Sequence, residues 1–157
     1  CVAFFSKYVT IESISFCKIL FLTNLNKSGR GTNMEYFRRE DALRVNASGR
    51  LIQRIFGNNS ACEIDNANMG FAHFSEDEYG KMPCHYHEDE IIYILEARDA
   101  YTEYGETRES MNNRKELKAG DVLRFHNGEF HVFKFTSEEG YLDILFFFSQ
   151  GKINVVE

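Results

Sequence analysis

The stretch "CHYHEDEIIYILEA", residues 84–97, decides how this chain is read. Two histidines and three acids fall within its first seven residues, and an apolar run follows at once. That run, Ile91 to Leu95, is β-branched and aromatic, the composition of a strand. Residues two apart on a strand face the same way, so His85 and His87 share a face. If that face is the inside of a barrel, two imidazoles and an acid lie in a dry pocket. Such a group is costly to bury without a partner. Neutral imidazoles with a carboxylate suit a borderline divalent metal. In a solvated acidic turn the same residues would only face water. A third imidazole, His131 in "HNGEFHVFKF" (126–135), favours the metal, because a closed ligand set needs a donor from a distant strand.

Outward from this stretch the chain reads as short strands. "GRLIQRIFG" (49–57) alternates as a strand and is closed by a turn cluster. "MGFAHFSEDEYG" (69–80) is a strand that ends in an acidic turn. Residues 99–117 read as a hairpin with a long polar tip, and 121–126, 130–136 and 141–148 as three further strands. Met34 to Arg44 suits a short helix or an opening strand. Strand-sized runs every eight to twelve residues or so indicate an all-β sandwich or barrel. "DILFFFS" (143–149) reads as a core or dimer-interface strand.

The bulk numbers agree. The chain has 157 residues, 43% hydrophobic, with fifteen Phe, eight Tyr and one Pro, which suits one β-rich domain. A net charge of −6 without a basic stripe argues against nucleic acid and against anionic membranes. Arg38, Arg39, Arg44, Arg50 and Arg54 are scattered and read as solvated. The four Cys form no close pair, so reduced thiols in a cytoplasmic protein are expected. No phosphate-binding glycine loop and no GxSxG elbow is present.

The composition changes at Met34. Residues 1–33 hold one acid, Glu12, and their longest apolar run is too short to span a bilayer. "SGRGTN" before Met34 back-translates to a purine-rich stretch of the kind that precedes a bacterial start codon. Residues 1–33 are therefore expected to be a non-native upstream translation, with 34–157 a single barrel domain. Without them, 14 basic and 23 acidic residues give 14 − 23 = −9. A peptide from 1–33 in native material would refute this.

Two motifs together resemble the cupin superfamily. The first is "HYHEDEIIYILEA"; the second, "GDVLRFHNGEFH" from Gly120, places Gly120, Gly128 and His131 at the family spacing. The resemblance covers roughly residues 55–148 and implies a single-domain cupin β-barrel, a double-stranded β-helix or jelly roll. Carried over by position, the metal ligands would be His85, His87, Glu90 and His131. Glu90 stands seven residues before Ala97, where the family has glycine. Three departures mark this chain. The gap from His87 to Glu90 is one residue short, and strict alternation would put Asp89 on the histidine face unless a bulge turns Glu90 inward. Glu90 is preferred to Asp89, with Glu88 behind both. Ala97 replaces the glycine, and His126 replaces a proline and reads as a rim residue. His73 is either a barrel-lining acid–base or, preferred, a structural histidine.

The resemblance implies a divalent Fe, Mn, Ni, Co or Zn ion. It further implies an enzyme of dioxygenase, isomerase or decarboxylase type on a small oxygenated substrate. The alternative is a non-catalytic barrel that binds or senses a small molecule such as a sugar. Family habit implies a homodimer. The acids of "SEDEYG" and "EDE" lean the expected ligand toward neutral or cationic chemistry.

Overall fold

The computed structural model describes residues 34–150; the expected leader, residues 1–33, lies outside them. The alternating runs form nine strands among the described residues: β1 Leu43–Ala47, β2 Arg50–Phe56, β3 Asn68–Ser75, β4 Glu90–Arg98, β5 Ala100–Gly105, β6 Asn113–Glu116, β7 Val122–Phe125, β8 Phe130–Phe135 and β9 Tyr141–Phe148. All pair antiparallel. One sheet has the order β1-β2-β3-β9-β4-β7, the other β6-β5-β8. The segment from Met34 forms a short 3-10 helix, Arg39–Asp41, and then opens β1. The acidic turn after β3 is one helical turn, Glu76–Tyr79, capped by the Ser75 hydroxyl, which accepts from the Glu78 N–H.

Alternation sorts the two faces of the large sheet. On β4, Ile92 and Ile94 point inward with no exposed surface, while Ile91 and Tyr93 point out. On β9, Leu142, Ile144, Phe146 and Phe148 point inward and meet Phe125 and Phe133 across the core. This is where "DILFFFS" is spent. Burial of these side chains is the main stabilising term, roughly 1.5–3 kcal/mol for each.

The first motif's strand does not turn at Ala97. β4 runs on to Arg98, with a register shift between Ile94 and Glu96, and the left-handed residue is Asp99, φ 51°. Asp99 holds the corner itself: its carbonyl accepts from Thr136 N–H at 2.8 Å and its carboxylate from the Ser137 hydroxyl at 2.7 Å. A glycine is not needed at 97 because the strain sits two residues later, on a residue type that tolerates it.

Candidate metal centre

His85 and His131 lie directly opposite each other. Each donates its N–H to the other's carbonyl, at 3.2 and 2.9 Å, so the segment around His85 joins the edge of β8. Residues paired this way project on the same face. His87 follows two residues on, and its carbonyl accepts from Gly128 N–H at 3.0 Å. The turn that presents this N–H needs Gly128 at φ 82°. The two motifs are thus stitched together by main chain, and their three imidazoles gather in one place. Their ligand atoms lie within 4.8 Å of one another, and all three residues are buried.

The tautomers are fixed. His85 Nδ1 is 3.1 Å from Pro83 O, His87 Nδ1 2.8 Å from Glu88 O, and His131 Nδ1 3.0 Å from Glu129 O. A carbonyl only accepts, so each Nδ1 carries the proton and donates. In its neutral form each ring then presents an Nε2 lone pair. This is the orientation that a metal-ligating histidine takes from its surroundings. Phe125 stacks on His131 at 3.9 Å and 5°, and the edge of Phe148 meets His87 at 5.0 Å.

Burial, then the charge of Arg50, pushes His85 down to about 4. Burial and the two neighbouring imidazoles hold His131 well below its ordinary value. Both therefore stay neutral at pH 7, the form a metal needs. At His87 burial works against the charge, but the hydrogen bond and charge of Glu90 outweigh it and the shift is upward.

Glu90 comes inside. Its carboxylate lies 3.3 Å from His87 Nε2 and 4.0 Å from His131 Nε2, and it is buried. The device is a bend at Glu88, not a strand bulge. The bend turns Asp89 outward, where its carboxylate accepts from Asn127 N–H at 3.2 Å and pairs with Arg124 at 3.3 Å. Asp89 closes the turn that carries Gly128. Hence the missing residue before Glu90 is tolerated: Asp89 is occupied outside, and Glu90 opens β4 on the inward phase.

The donor set fits a borderline divalent ion. Two atoms on such an ion stand at most about 4.2 Å apart, twice a metal–nitrogen bond. The three donors lie within 4.8 Å of one another, so a bound ion would draw the rings inward.

Behind the histidines lies a cavity of about 110 Å³, walled mainly by Phe74, Phe133, Phe146, Phe148 and Ile144. Arg50 and Arg54 also line it, so neither is the solvated surface cation the sequence suggested. Of the acids in "SEDEYG" and "EDE", only Glu90 is in the lining. The expectation of an acidic pocket is corrected accordingly.

The other candidates face away. His73 sits on the outer side of β3, its Nδ1–H donating to Asp143 at 2.9 Å, with Tyr141 stacked on it. Arg39 grips the same carboxylate with two hydrogen bonds of 3.0 Å and bonds Gln53 at 2.8 Å. Despite partial burial, these partners hold the Asp143 carboxyl below its usual range. His73 is structural. His126 is an exposed rim residue 3.7 Å from Asp89. Tyr86 packs on Phe130. Cys84 and Cys62 are free thiols; burial raises Cys84, which makes it a poor nucleophile.

No protein-family model matches the chain, and no curated protein matches it. Solved structures do. The polyketide cyclase RemF of Streptomyces resistomycificus aligns with a TM-score of 0.59 and 19% identity, over 78% of this chain and 84% of that one. A mutant of the Bacillus subtilis oxalate decarboxylase gives 0.60 and 15%, over 82% of this chain and 34% of that one. An uncharacterised Klebsiella pneumoniae protein with a double-stranded β-helix domain gives 0.54 and 12%, over 80% and 99%. The architecture is the double-stranded β-helix. Among the described residues no helix is long and apolar enough to cross a membrane.

Proposed function

We propose that this chain is a divalent-metal-dependent enzyme acting on a small oxygenated substrate, with His85, His87, Glu90 and His131 as ligands. One observation carries the reading: three Nδ1–H groups are each committed to a main-chain carbonyl, leaving three Nε2 atoms converged beside one buried carboxylate. An ion held there would polarise a substrate oxygen or activate water. The residues of this chain do the rest. The imidazoles fix the position, Glu90 supplies the negative donor, and the phenylalanines exclude water from the reacting end. A likeness to Fe(II)-HppE, at a TM-score of 0.55 and 11% identity, supports the same reading.

One observation favours the alternative, a non-catalytic barrel that binds a small molecule. Apart from Glu90 and the histidines, no described lining residue can move a proton at neutral pH. An enzyme at this site must draw its acid–base groups from the ligands, from water or from the substrate.

Elemental analysis of the purified chain tests the metal, with about one ion per chain expected, and His87→Ala and His131→Ala each losing most of it. Substoichiometric metal in the wild type, or full metal in both variants, removes the metalloprotein reading. Oxygen uptake and product analysis with small diols, thiols and carboxylates then separate enzyme from binder.

A further inference from the structure

Strand β2 turns alternate residues, Arg50, Ile52 and Arg54, toward the cavity. Two guanidiniums thus share its wall with one carboxylate, Glu90. The Arg54 guanidinium makes no hydrogen bond, ion pair or ring contact among the described residues. Arg50 is anchored at its hairpin by a 3.2 Å hydrogen bond to Ser48 O, and its charge is felt by His85 and His131 across the cavity. Arg54 therefore brings an uncommitted guanidinium to the cavity wall, beside Arg50, in a chain whose net charge is −6. Guanidinium is planar, stays charged at any working pH and matches an oxyanion with a fork of donors. Two of them at an apolar cavity are poorly suited to packing and well suited to an anionic guest.

We propose that the cavity selects a small organic carboxylate, with Arg50 and Arg54 holding the oxyanion and the phenylalanine wall taking an apolar body. The volume of about 110 Å³ limits the enclosed part to roughly four or five non-hydrogen atoms, since a cavity of about 150 Å³ accepts benzene. This identifies the substrate class of the proposed enzyme and rests on that reading only for the word substrate. The anion site itself requires no ion. It also reverses the lean toward neutral or cationic ligands drawn from the surrounding acids.

The test is a ¹⁹F NMR titration of the full-length chain, zinc-loaded and chelator-stripped, with 4,4,4-trifluorobutyrate and its neutral isostere 4,4,4-trifluorobutyramide. The acid is expected to bind at least tenfold more tightly than the amide in both forms. An Arg50→Gln/Arg54→Gln double variant should lose tenfold or more toward the acid and nothing toward the amide. An Arg50→Lys/Arg54→Lys variant should recover part of the loss, which guards against a mere folding defect in the glutamine variant. Circular dichroism and metal content should match wild type throughout. Equal binding of acid and amide would overturn the proposal. So would a preference for the acid that survives in the glutamine variant or vanishes on stripping, because the carboxylate would then be held by the ion. A wild type that binds no metal yet keeps the arginine-dependent preference would remove the metalloenzyme reading and leave this one standing. Metal binding without the preference would do the reverse.

Discussion

At the scale of single residues, Glu90 and Asp89 are neighbours with opposite tasks. Glu90→Gln removes the negative donor beside His87, and metal affinity should fall tenfold or more. Asp89→Asn weakens only the outer clamp on the turn, and affinity should change by less than about threefold. Competition with a chromophoric chelator measures both; equal losses would mean the acids are misassigned. The imidazoles also set how the ion-free protein responds to acid. His85 drops from 6.5 unfolded to about 4 folded, so as pH falls the unfolded chain takes up the proton first. Stability is then full above about pH 6.5 and is lost as pH falls toward 4. His131 acts in the same direction. His87, shifted upward, opposes: its contribution is full in acid and fades as pH rises through its folded value. Two against one, the melting temperature of stripped protein should fall from pH 7 to pH 5, by an amount reflecting a few kcal/mol at most. His85→Gln should flatten that slope; a melting temperature that rises on acidification would contradict the assignment.

At the scale of elements, the turn between β7 and β8 matters more than its length suggests. Gly128 at φ 82° presents the N–H that His87 O accepts. Nothing crowds a Cβ there, so Gly128→Ala meets only the backbone penalty, about 1 kcal/mol or somewhat more. The same substitution should loosen His87 and lower metal affinity beyond what the lost stability explains. Urea melts read the first effect and metal titration the second. Such turns were legible in the sequence because glycine spacing and period-two alternation are local signals. Eight strands and the shared face of His85 and His87 followed from them; the cupin likeness supplied the pairing of motifs and, against strict alternation, Glu90. The facing of strand β2 was not legible. Its outer residues Gln53 and Ile55 are buried, Gln53 by Arg39 of the 3-10 turn, and its arginines point to the cavity. Alternation fixes which residues share a face, but a cover contributed by a preceding segment decides which face is wet. The bend at Glu88 was equally hidden, since Asp89 turns outward only because Asn127 and Arg124, more than thirty residues on, receive it.

At the scale of the whole molecule, the large sheet keeps an apolar outer face. Phe147 pairs with Ile91, and Tyr93 with Val122, so four exposed apolar residues are contiguous across β9, β4 and β7. We propose that a second copy covers this face, because an apolar patch is complementary to itself and a twofold dimer needs that property. Val122 is 66% exposed, so Val122→Glu should leave the monomer folded and shift sedimentation from dimer to monomer. A wild type that sediments as a monomer would end the proposal. A different consequence follows from the main-chain stitch between His85 and His131. The three rings belong to segments more than forty residues apart in the chain, and the hydrogen bonds that orient them form only when the barrel closes. During synthesis the nascent chain therefore carries no complete donor set until His131 has left the ribosome. An ion held there would therefore be chosen by what the finished barrel meets, not by what the growing chain encounters first.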